Sequence, residues 1–195
     1  MERVTRDDAE RAAAKALAEH RQALGAVEAA AGELARAADV VAGAFQAGGR
    51  LLVCGNGGSA ADAQHIAAEF VGRFLKERSP YSAIALNGNS SALTALGNDY
   101  GFDEVFARQV RAHGRAGDVL LAISTSGESP NVLEAICAAQ DVGMTVIGLS
   151  GGEGGSVAQR SDVCLTVPAA STPRIQEVHI LLGHLLCGLV EDALA

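Results

Sequence analysis

The sequence predicts a three-layer α/β fold with a five-stranded parallel sheet and an N-terminal helical extension. Three observations carry this reading. After residue 48 the chain alternates short apolar runs with helix-like stretches, the pattern of a parallel sheet covered on both faces. Residues 7–48 are instead Ala-rich and charged, with apolar residues at helical spacing. Hydrophobic residues make up 49% of the chain but aromatics only 4%, so the core must be built from Ala, Val, Leu and Ile, which suit helices packed on such a sheet.

In the first segment Leu17, Leu24, Val27, Leu34 and Val41 form an apolar stripe that predicts one or two amphipathic helices, ended by Gly48-Gly49. The stripe fits a partner helix in the same chain or in another subunit, and its spacing does not choose between them. Strands follow at Leu51–Cys54, Ala83–Leu86, Val119–Ile123, Val146–Leu149 and Val163–Val167. The helical stretches are Ala60–Phe74, a short one near Ser91–Leu96, Phe106–Ala112, Asn131–Val142 and Ile175–Leu194. Ser150-Gly151-Gly152-Glu153-Gly154-Gly155 reads as a loop after the fourth strand. The chain thus divides into a helical extension, 1–48, and a single domain, 49–195, which is long enough to bury a full core.

A formal charge of −8 disfavours nonspecific binding to nucleic acid or anionic membranes, because both need a basic surface. An anionic ligand would have to be held by local dipoles and hydroxyls. Cys54, Cys137, Cys164 and Cys187 are widely spaced without a CxxC pair, which predicts buried free thiols rather than a zinc-thiolate or redox motif. The N-terminus Met1-Glu2-Arg3-Val4-Thr5-Arg6-Asp7-Asp8 lacks the basic-then-apolar pattern of a signal peptide. The apolar run from Ile180 to Val190 is too short to span a bilayer. A cytoplasmic enzyme is the expectation.

Parallel sheets bind ligands beyond the carboxyl ends of their strands, and two such loops stand out. After the third strand come Ser124-Thr125-Ser126-Gly127-Glu128-Ser129-Pro130, with Ser129 suited to cap a helix and Pro130 to begin it. Hydroxyls gathered at a helix N-terminus suit a phosphate. After the first strand come Gly55-Asn56-Gly57-Gly58-Ser59-Ala60, which match a degenerate dinucleotide pattern. The second strand, however, ends in Asn87-Gly88 with no acid for a ribose, and no Gly-Lys-Ser/Thr of a P-loop follows.

Farther along, His65 and Glu69 sit four apart on a predicted helix and share a face, with Arg73 four residues on. That spacing fits a metal or substrate grip, and fits an exposed charge row better. Near the C-terminus Gln176, His179 and His184 lie on one helix, with His184 among leucines, where a hydrogen-bonded core histidine is the usual outcome. Spacing alone does not select His184.

Taken together, Gly55-Asn56-Gly57-Gly58-Ser59, Asp62-Ala63-Gln64-His65, Gly97-Asn98-Asp99, Ser124-Thr125-Ser126-Gly127 and Arg174-Ile175-Gln176-Glu177 resemble the SIS (sugar isomerase) family, specifically its bacterial phosphoheptose isomerases. The similarity is collinear from about Leu51 to Leu194. It implies an aldose–ketose isomerase interconverting sedoheptulose 7-phosphate and D-glycero-D-manno-heptose 7-phosphate, a homotetramer with sites between subunits, and a bound zinc ion. The resemblance assigns proton transfer to Glu69 and His184, and metal ligation to His65, Glu69, Gln176 and His184. His179 is then structural. Substrate contacts carry over to Asn56, Gly57, Gly58, Ser59, Glu69, Arg73, Asn98, Asp99, Ser124, Thr125, Ser126, Ser129 and Gln176. Pro173 stands where some phosphoheptose isomerases have an acid, which puts contacts from Ser171-Thr172-Pro173 in doubt. A second branch, noncatalytic tetramers that bind the replication initiator, resembles the chain nearly as well but lacks the residues matching Glu69 and His184.

Overall fold

The computed structural model describes residues 5–195, so Met1–Val4 of the N-terminal segment lie outside the described residues. Helix α1 (Arg6–Val27) starts at a reciprocal cap, in which Thr5 Oγ accepts from Asp8 N and Asp8 Oδ2 accepts from Thr5 N. A 3₁₀ turn at Glu28–Ala30 separates it from α2 (Ala31–Gln46). The strands β1 (Leu51–Gly55), β2 (Ala83–Ala85), β3 (Val119–Ser124), β4 (Thr145–Gly151) and β5 (Val163–Val167) pair in the order β2-β1-β3-β4-β5, all parallel. Between and after them run α3 (Gly58–Val71), α4 (Ser90–Tyr100), α5 (Ala107–His113), α6 (Pro130–Asp141), α7 (Gly155–Arg160) and α8 (Thr172–Ala193).

Alternation along each strand sorts the core into two layers. Leu51, Val53, Val119, Leu121 and Ile123 face α1, α2, α3 and α8, whereas Leu52, Cys54, Leu120 and Ala122 face α5, α6 and α7. The N-terminal stripe is used within the chain from Val27 onward, since Val27, Leu34 and Val41 are buried there while Leu17 stays 59% exposed.

Several boundaries depart from the sequence reading. Helix α3 ends at Val71 rather than Phe74, because Gly72 N closes the helix onto Ala68 O. Helix α4 extends to Tyr100, so Asn98 and Asp99 lie on a helix and not in a loop. The glycine-rich segment after β4 turns into α7, with Glu128 accepting from Ser156 N and Oγ at its first turn. Of the four thiols, Cys54 and Cys187 are buried but Cys137 and Cys164 only partly so.

Among the described residues, carboxyl side chains are buried at two places. Asp118, 3% exposed, accepts from Arg50 N and Arg115 N and lies 3.4 Å from Arg50 Nε. Glu191, 2% exposed, accepts from the successive backbone N–H groups of Phe74, Leu75 and Lys76 and from Arg78 Nε. Burial alone would raise the Glu191 pKa. The three backbone donors and the guanidinium outweigh it and hold the group at about 2, against an ordinary 4.5. A lowered carboxyl pKa contributes stability that is complete above the unfolded value and disappears as pH falls through the folded one. Urea-unfolding midpoints taken between pH 4.5 and 2 are therefore expected to fall more steeply for the wild type than for Glu191→Gln. Parallel curves would contradict this linkage.

Candidate active site

The sheet order places a topological switch point between β1 and β3, where successive loops leave in opposite directions and open a crevice. Both glycine- and serine-rich loops start there. Asn56, after β1, and Asn131, in the first turn of α6, exchange side-chain amide hydrogen bonds of 2.8 and 2.9 Å, tying the two loops together. Asn87, after β2, donates to Gly55 O, and its Oδ1 is buried without a partner.

In the β3–α6 loop, Ser124 Oγ lies 2.9 Å from Ser129 Oγ and 3.4 Å from Ser126 Oγ. Three hydroxyls therefore converge just ahead of the 12-residue helix α6. Ser129 occupies the N-cap position, but its hydroxyl turns to Ser124 instead of capping, which corrects the role expected for it. Thr125 follows Ser124 and is partly exposed. The loop is backed by the start of α7: Glu128 is drawn away onto Ser156, and Val157 N donates to Gly127 O. These bonds lower the Glu128 pKa, keeping the carboxylate charged and turned toward α7. Gly127 has φ +70°, and a Cβ there would strike the Gly154 carbonyl.

The second group forms where α3 lies on α8. The two helices run side by side in the same direction, with Gly58 against Gln176 and Ile66 against Gly183, and Phe74, just past the end of α3, lies against Gly188. This register brings His65 Nε2 to 3.0 Å from Glu69 Oε1 and 3.3 Å from His184 Nε2. One ligand atom from each of the three lies within 4.8 Å of the others. A single His65 Nε2 proton can satisfy Glu69 or be absent to accept from His184, and cannot do both. A shared cation resolves that competition, and two imidazoles with one carboxylate match the three protein ligands of open zinc sites. The Phe74 ring stacks on His184, with centroids 5.4 Å apart and planes at 24°.

Other residues singled out from sequence lie elsewhere in the chain. The Gln176 amide rests against Gly58, two helical turns ahead of His65. Gly57, with φ +57°, and Ser59, 3% exposed, frame that same helix start. Arg73 follows α3, is exposed and lies 3.6 Å from Glu77. Asn98 donates to Asp99 on the exposed last turn of α4. Pro173 sits in the first turn of α8, a helix start that suits proline. His179 is fully buried, with its Nε2 2.9 Å from Ser150 O, and burial lowers its pKa to about 4 despite that bond. Asn131 and Asn87 are contributions that sequence reasoning missed. Asn87 opens the Asn87-Gly88-Asn89-Ser90-Ser91 run after a strand and Asn131 directly follows Ser129-Pro130, so the position of each was a signal of the right kind.

Gly127→Ala is expected to displace the β3–α6 loop from α7. Affinity for a phosphosugar, read by titration calorimetry, should then fall more than for Ser124→Ala, which removes one hydroxyl worth about 0.5–3 kcal/mol. Equal or tighter binding by Gly127→Ala would contradict this loop geometry.

Comparison with known proteins agrees with this architecture. Residues 15–151 match the SIS domain family. The phosphoheptose isomerase of Rhodospirillum rubrum is 62% identical over 161 residues, covering 83% of this chain and 86% of that protein. Solved structures of phosphoheptose isomerases from Neisseria gonorrhoeae and Francisella tularensis superpose with TM-scores of 0.89 and 0.91, at 48% and 39% identity. Each covers 94% of this chain and 98% of its own. By sequence and by fold, the chain belongs to the SIS domain family and, within it, to the phosphoheptose isomerases.

Proposed function

We infer that this chain is an aldose–ketose isomerase that converts sedoheptulose 7-phosphate to D-glycero-D-manno-heptose 7-phosphate. The observation that carries the chemistry is the meeting of the Glu69 carboxylate and the His184 imidazole around His65. Moving a carbonyl from C2 to C1 requires one group to take a proton from carbon and another to serve the oxygens. Glu69 takes the C1 proton as His184 gives one to the C2 oxygen, leaving an enediol. His184 then removes the proton from the C1 oxygen, and Glu69, its proton having exchanged with solvent, protonates C2. Ser124, Thr125, Ser126 and Ser129 hold the phosphate, while Asn56 to Ser59 border the sugar.

His65, Glu69 and His184 would hold a zinc ion, with Gln176, which within one chain lies beside Gly58, as a fourth donor only across a subunit boundary. Bound zinc supplies polarisation of the substrate carbonyl. The presence of both Glu69 and His184 favours the enzyme over a noncatalytic protein that binds the replication initiator.

A homotetramer with sites between subunits agrees with the placement of these groups. Eleven residues of α3 separate Gly58 from Glu69, about 16 Å of helix, so a single chain presents its phosphate loop and its proton-transfer pair at separated ends. Gln176, at the Gly58 end, belongs with the phosphate-loop half. A second copy closes the distance, and Arg73, Asn98 and Asp99 are free to contribute across such a boundary. Leu17, Leu75, Leu185 and Leu189 are large apolar side chains left exposed in one chain, as a subunit interface requires. The site of action is the cytoplasm; no helix among the described residues is long and apolar enough to cross a membrane.

With sedoheptulose 7-phosphate as substrate, Glu69→Gln and His184→Gln are each expected to lower kcat by about 10²–10⁴-fold, while folded His179→Gln retains most of its turnover. Near-normal turnover by either of the first two would overturn the assignment. Elemental analysis should find up to one zinc per chain, and a chelator should lower activity that added zinc restores. Metal-free protein with activity indifferent to chelator and zinc would contradict the ligand set.

A further inference from the structure

A buried ion pair remains that the chemistry above does not use. Helix α3 ends at Val71, leaving its last carbonyls without intrahelical partners. Arg78 supplies them: Nη2 donates to Glu69 O, and Nη1 donates to Phe70 O, Gly72 O and Ser79 O. Its Nε donates to Glu191 Oε1 on α8 at 2.9 Å, and the guanidinium lies 4.3 Å from the centre of the Tyr81 ring. Glu191 meanwhile gathers the N–H groups of Phe74, Leu75 and Lys76. Phe74 is the residue whose ring stacks on His184.

The pair thus reaches both partners of the proposed proton transfer without touching either reacting side chain. Arg78 holds the backbone carbonyl of Glu69. Glu191, from one α8 turn beyond Gly188, holds the backbone of the residue that packs on His184. We propose that Arg78 and Glu191 are positioning residues that lock the end of α3 and its exit strap onto α8, fixing the Glu69 carboxylate relative to the His184 imidazole. The planar guanidinium is required for this, because one residue must donate in several fixed directions at once, which an ammonium on a flexible stem does not do. The inference rests on the assignment of proton transfer to Glu69 and His184.

Its test compares kcat and KM for sedoheptulose 7-phosphate in Arg78→Lys, Glu191→Gln and Phe74→Leu, alongside Asp118→Asn as a control. Asp118 is a comparably buried carboxyl group whose partners are Arg50 and Arg115 rather than groups on α3 or α8, so its loss reports destabilisation alone. Displacement of reacting groups by about 1 Å costs up to about 10²-fold in rate. Arg78→Lys and Glu191→Gln are expected to lose about ten- to a hundredfold in kcat per folded molecule with KM changed less than threefold. Phe74→Leu, only partly buried and therefore tolerant of substitution, should show the same split to a smaller degree. Asp118→Asn should lower the unfolding midpoint while keeping kcat. If Glu191→Gln or Arg78→Lys fails to fold, the Phe74→Leu split decides. Wild-type kcat in the folded variants, or a loss matched by Asp118→Asn at equal destabilisation, would overturn the positioning role. Normal turnover in Glu69→Gln and His184→Gln would instead remove the reading on which it rests.

Discussion

Helices α3 and α8 carry every side chain of the proposed proton-transfer centre, and they approach closely because Gly183 faces Ile66. A Cβ at Gly183 would come 2.6 Å from Ile66 Cδ1, so any larger residue forces Ile66 to rotate or the helices to part. His184 is the next residue along. The distance between its imidazole and His65, 3.3 Å, is therefore set by backbone approach rather than by the side chains themselves. What holds the helices at that distance is apolar burial along Ile66, Phe70, Val178, Leu182 and Leu186, which share one core layer with the sheet. At its far end the contact is closed by ionic groups, Glu191 and Arg78, whose desolvation is compensated by backbone donors and acceptors.

A second constraint comes from the sheet. Parallel strands in the order β2-β1-β3-β4-β5 send the loops after β1 and β3 apart at one edge, and the Asn56–Asn131 pair then fixes them to each other. The hydroxyl loop has no basic side chain of its own, and Glu128 is neutralised as a hazard to an anion by being committed to Ser156. A protein with a formal charge of −8 can thereby offer an anion a local site of hydroxyls and a helix start. The two constraints act at separated ends of α3, and the proposed assembly, with its site spread over two subunits, would join groups that one chain leaves apart.

Much of this was legible in the sequence because it is written in local periodicity. The five strands are apolar runs of the right length, and Pro130 marks a helix start where it stands, whereas the last helix begins at Thr172, ahead of the Ile175 that the sequence predicts. Helix α7 was not legible, since a first-turn N–H group, that of Ser156, is satisfied by Glu128 from a distant segment and its own glycines argue for a loop. The end of α3 was misplaced because Phe74 continues the apolar pattern, while its backbone is bound by Glu191 from the other end of the chain. The i, i+4 relation of His65 and Glu69 was visible. That His184 completes the group depends on the register between α3 and α8, which no spacing within either helix encodes, and family resemblance supplied it. Gln176 shows the converse: resemblance groups it with the other three, and in one chain it lies at the opposite end of the α3–α8 contact.

In the proposed reaction Glu69 moves a carbon-bound proton through an enediol. Deuterium exchange tests it most directly: sedoheptulose 7-phosphate is incubated with the protein in D₂O, and label at C1 of recovered ketose and C2 of the aldose is read by NMR. Incorporation is expected with the wild type and its loss with folded Glu69→Gln. Conversion by the wild type with no label entering from solvent, or incorporation undiminished in Glu69→Gln, would contradict it.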